Sequence, residues 1–225
     1  MLPRPASRTP SGVGLNDDRI TVFLKTTRPL TGLGSPESVM DRYWLLTWTC
    51  YGHWLPGDAR GFVGNIRDDE GSQTTHNVPG APYDSDIPRL EAWIREQMKG
   101  VPVTLDKPDA DALIVQYQET SRIRKWSLEA ASVMYNHTHV VVGVPGDPDP
   151  DFLLETFKSW ATRKLKKQRP LPSNGTFWTE KGSKRKLPDE AALRNAIWYV
   201  VKKQPNPLAT WCATGEPNPV RGRVE

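Results

Sequence analysis

The chain has 225 residues, 37% of them hydrophobic, enough for one core of roughly 150–180 residues with a tail left over. Its 30 Lys and Arg against 26 Asp and Glu leave a formal charge of +4, which favours an anionic partner without naming it. Cys50 and Cys212 offer neither a disulfide framework nor CxxC zinc spacing, and no apolar run nears the roughly 18 residues that cross a bilayer, so the expectation is a soluble protein of the reducing cytoplasm with no signal peptide and no membrane partner.

Residues 1–40 are rich in Pro, Gly, Ser, Thr and Arg, with one strand-like run at Ile20–Leu24, and are expected to form a flexible N-terminal tail. Met40, just before the first strand, is expected to be the natural start of translation. From Tyr43 to Trp54 the aromatic and β-branched residues of YWLLTWTCYGHW suit a largely buried strand. Residues 56–87 lack periodicity and read as a long functional or disordered loop. A short helix is predicted at Arg89–Met98. A second runs to about Ile123 from an N-cap at Asp109, with Leu113, Ile114, Tyr117 and Ile123 on its buried stripe.

Trp126–Tyr135 and His137–Val144 follow as a hairpin or one long bent strand. Asp151 to about Gln168 is predicted to be an amphipathic helix, with Phe152, Leu153, Phe157, Trp160 and Leu165 inward and its lysines outward. Gly175–Gly182 has strand and turn character. Asp189 caps a last helix containing Ala192, Ile197, Tyr199 and Val201, which Pro205 ends. The order strand, helix, strand, strand, helix, strand, helix is that of an α+β fold, a ferredoxin-like split β-α-β sandwich whose antiparallel sheet carries helices on one face.

Charge is concentrated between Glu155 and Lys186. Ten basic residues (Lys158, Arg163, Lys164, Lys166, Lys167, Arg169, Lys181, Lys184, Arg185 and Lys186) stand there against Glu155 and Glu180. The stretch reads as a phosphate-facing surface or as a solvated helix face and loop. His137-Thr138-His139 lies on a strand, where alternation projects both imidazoles from one face, a geometry for gripping one cation. Imidazoles at the mouth of the apolar run Val140–Val142 are costly unless liganded or hydrogen-bonded.

Four blocks, TWTCYGHWLPGDARG at 47–61, YNHTHVVVGVPGDPDP at 135–150, GTFWTEKGSKRKLPDE at 175–190 and IWYVVKKQPNPLATW at 197–211, occur in an order that resembles the REP-associated tyrosine transposases, a family of HUH single-strand DNA endonucleases. The resemblance covers most of the chain and makes residues 41–225 a transposase-like catalytic domain. It implies that His137 and His139 hold a divalent metal, Mg²⁺ or Mn²⁺, and that Tyr199 is the nucleophile. Thr138 departs from the hydrophobic residue expected between the histidines, but its side chain points to the other face. In such enzymes an amide or acid commonly sits four residues after the tyrosine, where this chain has Lys203. Gln204, one residue later and just before Pro205, becomes the expected third ligand.

Among the other tyrosines, Tyr43 and Tyr51 fall in the first strand, Tyr117 on a helix stripe and Tyr83 in a loop; Tyr135, two residues before His137, is the rival to Tyr199. The implied activity is metal-dependent nicking and rejoining of single-stranded or hairpin DNA through a 5′-phosphotyrosine, in a nucleoid-associated protein. DNA would be met by Lys158, Arg163, Lys164, Lys166, Lys167, Lys184, Arg185 and Lys186, with Trp178, Phe177 and Trp54 as platforms on which unpaired bases stack. A homodimer is compatible with this reading. Val141 excludes a histidine-triad hydrolase, which needs a third alternating histidine there. Lys203 favours the alternative, a domesticated nucleic-acid-binding protein that no longer cleaves.

Overall fold

A computed structural model describes residues 40–60 and 87–214. The expected tail, most of the 56–87 loop, His76 and Tyr83 lie outside the described residues. Alternating burial over Arg42–Thr49 makes β1. The chain then leaves the strand after Cys50 rather than at Trp54, because Gly52 (φ 79°) and Trp54 (φ 55°) take left-handed conformations that no strand accommodates.

Helix α1 spans Pro88–Glu96 and α2 spans Lys107–Arg124. The cap of α2 is Asp106, not Asp109. Asp106 accepts a bond from the Asp109 backbone N–H at 2.8 Å, and the Asp109 carboxylate answers on the Asp106 N–H at 3.4 Å, a reciprocal capping box. Pro108 sits where the first turn needs no donor. Asp109 is buried and ion-paired to Arg169 at 2.7 Å. Ile123, expected inside, is 50% exposed, as α2 closes just beyond it at the left-handed Lys125.

β2 (Ser127–Val133) and β3 (His137–Val144) form an antiparallel hairpin. Tyr135 therefore lies in the turn, exposed, rather than on a strand with His137. After α3 (Pro150–Leu165) comes β4 (Ser183–Leu187), just beyond the segment expected to be extended, then α4 (Glu190–Lys202) and a short β5 (Ala209–Cys212). The sheet runs β4-β1-β3-β2-β5, and every neighbouring pair is antiparallel. The first four positions have the connectivity of a split β-α-β sandwich, with β5 added at the β2 edge. The fold is α+β, as the sequence predicts.

Strand alternation divides the core in two. Trp44, Leu46, Trp48, Val140 and Val142 face α2 and α3, packing with Leu113, Tyr117, Leu153 and Phe157. Trp48 meets Tyr117 edge-on at 5.7 Å and Phe157 at 6.5 Å, contacts each worth about 0.5–1.5 kcal/mol beyond burial. Tyr43, Leu45, Val141 and Ala130 point the other way, onto Leu187, Ile197 and Val200. Thus α2 and α3 share one face as expected, and α4 covers the other. Phe152 is 48% exposed, turned toward Trp126 and Arg124 at the start of α3, and Trp160 is half-buried under Arg163.

Candidate active site

The register places His139 opposite Thr47 and His137 opposite Thr49 on β1. By alternation from Val141, both imidazoles lie on the α4 face, and their rings are 5.0 Å apart. Thr138 points to the opposite face, where its buried hydroxyl donates to the Ser132 carbonyl at 2.9 Å. Each histidine is held through Nδ1, His137 by Asn136 Oδ1 at 2.7 Å and His139 by Thr47 Oγ1 at 2.6 Å. The Asn136 oxygen can only accept, so His137 carries its proton on Nδ1 and presents Nε2 as a lone pair.

His139 Nε2 lies 3.2 Å from Gln204 Oε1. An amide oxygen also only accepts, so here His139 is protonated on Nε2 and its Nδ1 accepts from the Thr47 hydroxyl. Holding a cation requires the other tautomer. A hydroxyl can donate or accept, so Thr47 could keep its bond in either tautomer, which would free Nε2 and Oε1 to offer lone pairs to a cation. Burial first, and then His137, push the His139 imidazole down to about 3 against the pull of the Gln204 bond. Burial also lowers His137, with Gln204 opposing and the charges of Arg60 and His53 adding to the shift. Both rings are consequently neutral near pH 7, the form that ligates metals. Among the described residues no set of three His, Cys, Asp or Glu could hold a metal. The Gln204 amide oxygen could complete such a set, and two imidazoles with one amide oxygen would suit a borderline divalent ion.

Tyr199 comes from α4 and Gln204 from just beyond its end. Asp189 caps the helix as predicted, accepting from the Ala192 N–H at 2.7 Å. Ala196, Ile197 and Val200 bury its inner side, leaving Tyr199 43% exposed with its ring 5.5 Å from that of His139. The helix stops at Lys202, and Lys203 stacks its ammonium on Trp198 at 4.8 Å. That removes the cation from the expected ligand position. Gln204 instead turns back, its amide N–H donating to the Tyr199 carbonyl at 3.3 Å while its oxygen meets His139. His53 is nearby but occupied, its Nε2 on the Val103 carbonyl at 3.0 Å and its ring edge-on to Tyr135.

The expected DNA-binding residues do not converge on this site. Lys158 is buried, its Nζ donating to the carbonyls of Thr179 at 2.8 Å and Glu180 at 2.7 Å, so it ties α3 to the approach to β4 instead of facing solvent. Trp178 is 4% exposed with its indole N–H on Thr162, and Phe177 is fully buried; neither ring can stack on a base. Arg163, Lys164, Lys166 and Lys167 belong to α3 and its end, across the sheet from the histidines. On β4, Lys184 and Lys186 point to the α3 side, paired with Asp151 and Asp147, and alternation leaves only Arg185 on the histidine face. Trp54 is exposed, with Arg60 6.0 Å above its ring.

Thr47 and Asn136 were missed as partners of the histidines. The signal for Thr47 was a polar residue alternating with Leu45 and Tyr43, and it could be read only once β1 was paired with β3. Ser183, Thr47, His139, Ser132 and Thr210 form one polar lane across all five strands, a lane no single segment reveals.

No helix of the described residues is long and apolar enough to cross a membrane. No family model matches the chain, and no curated protein matches it. Among solved structures it is similar to a REP-associated tyrosine transposase bound to a REP hairpin, with 10% identity, 76% of this chain and 70% of that chain covered, and a TM-score of 0.37; a likeness of that degree bears on neither activity nor ligand.

Proposed function

We propose that this protein is a metal-dependent endonuclease and strand transferase acting on hairpin-bearing single-stranded DNA. The observation that carries the reading is the meeting of two distant segments at His139: its strand neighbour His137 lies on one side, and the Gln204 amide oxygen and the Tyr199 ring arrive from the far end of the chain. In this reading the Tyr199 phenol oxygen loses its proton and attacks the scissile phosphorus. The 3′ oxygen leaves as a hydroxyl, and a 5′-phosphotyrosine remains. That ester retains the energy of the broken bond, so a later 3′-hydroxyl can displace the tyrosine and reseal the strand. His137, His139 and Gln204 would hold Mg²⁺ or Mn²⁺, whose contribution when bound is Lewis-acid polarisation of the phosphate. Thr47 and Asn136 fix the ring planes. Exposure of Tyr199 on the open side of α4 leaves room for a DNA strand.

The test is to incubate the protein with hairpin-bearing single-stranded DNA and Mg²⁺ or Mn²⁺, and to look for a covalent adduct on a denaturing gel. An adduct is expected that chelator prevents and Tyr199→Phe abolishes. Firm binding with no adduct under either metal would overturn the endonuclease reading in favour of a binding protein.

A further inference from the structure

The segment from Tyr51 to Arg60 is held down at many points for a stretch without helix or strand. The Tyr51 N–H donates to the Phe177 carbonyl at 2.9 Å, its carbonyl accepts from Val103 at 2.9 Å, and its hydroxyl accepts from the Lys99 N–H at 2.8 Å. A Cβ on Gly57 (φ 96°) would stand 2.6 Å from the Ile87 carbonyl oxygen, so only glycine lets the loop lie on the start of α1. The segment begins against the turn that leads into His137. Cys50 donates to the Asn136 carbonyl at 2.8 Å, and the His53 ring packs edge-on to Tyr135 at 5.9 Å.

The anchoring culminates in one ion pair. Asp58 is 8% exposed, and its carboxylate receives the Arg60 backbone N–H at 2.9 Å, Nε at 2.8 Å and Nη2 at 2.5 Å. Those bonds outweigh burial and hold the acid down at about 2. The Arg60 side chain is 63% exposed. Its Nε–Nη2 edge is turned to Asp58, so the opposite edge, carrying Nη1, points away. A buried carboxylate gripping an exposed guanidinium by one edge orients the other, and a fixed planar fork matches phosphate oxygens. The Arg60 charge is felt at His137 and at His53.

We propose that Arg60, oriented by Asp58, binds a backbone phosphate of single-stranded DNA at the rim of the His137–His139 site. The inference rests on the single-strand reading above and adds a phosphate subsite that the basic residues of α3, on the far face, do not supply. Asp58 is a positioning residue acting through Arg60.

The experiment measures binding without chemistry, in Tyr199→Phe protein with chelator present, by fluorescence anisotropy of a labelled DNA hairpin carrying a 20-nucleotide oligo(dT) tail over a salt series. Arg60→Gln is expected to weaken binding roughly tenfold and to lower the slope of log K against log salt by about 0.7, the loss of one phosphate contact on a single strand. Arg60→Lys should restore the slope but not the full affinity. The double variant Asp58→Asn/Arg60→Gln leaves no unpaired buried carboxylate, and it serves if the single variant does not fold; it should show the same loss. Superimposable salt lines for the parent and the charge-deleting variants would overturn the proposal and leave the pair a loop clip. A parent that does not bind this hairpin-tailed DNA at any salt would overturn it together with the single-strand reading, whereas superimposable lines spare that reading.

Discussion

Gln204 Oε1 sits 3.2 Å from His139 Nε2 although the two residues are 65 positions apart and Gln204 follows the end of its helix. The contact exists because α4 stops at Lys202 and Lys203 is drawn onto Trp198. Gln204→Ala should therefore weaken Mn²⁺ binding by about tenfold or more while leaving thermal stability nearly unchanged, since the residue is only half-buried. Calorimetric titration with Mn²⁺ checks this, and equal affinity in the two proteins would remove Gln204 from the ligand set.

Thr47 makes a different kind of contribution. Its hydroxyl holds the His139 ring from behind and can follow the change of tautomer that metal binding demands. Thr47→Val keeps the shape and removes the bond. Loss of such a partner typically costs 10–100-fold in metal affinity, and the same range is expected here, with Thr47→Ser recovering most of it.

The metal-free protein should become less stable in mild acid. His139 is held at about 3 by burial, whereas in the unfolded chain an imidazole titrates near 6.5. Above that value neither state binds the proton. As pH falls through 6.5 the unfolded chain takes it up and the folded one does not, so stability declines until about pH 3. One such group costs roughly 2 kcal/mol by pH 5. Urea denaturation at pH 7.5 and pH 5 should show the decline, and His139→Gln should reduce it.

Lys158 offers a contrast with the exposed Lys166 and Lys167 just past the end of α3. Lys158→Met leaves the Thr179 and Glu180 carbonyls without their buried donor, which is expected to cost about 1–3 kcal/mol of stability. The salt dependence of single-strand binding should not move. A lowered slope in a fully folded variant would return Lys158 to the DNA surface.

The histidine pair was legible because strand alternation is local: two residues apart on a strand means one face, whatever the strand pairs with. The cap of α4 at Asp189 was legible for the same reason. The cap of α2 was misplaced because both Asp106 and Asp109 precede the apolar stripe, and only the reciprocal bonds of the capping box tell them apart. Charge patterning failed at Lys158 and aromatic patterning at Trp178, since neither pattern says which face of the sheet an element will cover. Residues as far apart as Thr47 and His139 met only through the pairing of β1 with β3.

The basic run of β4 has a consequence apart from DNA. Among the described strands β4 lies at one margin of the sheet, where the backbone N–H and C=O groups of its outer side meet no neighbouring strand. Lys184, Arg185 and Lys186 there make it unfavourable for a second chain to add itself in register. Neutralising all three to probe nucleic-acid binding would also strip the sheet of its protection against chain-to-chain growth, so such a variant should be watched for aggregation before any lost binding is blamed on charge.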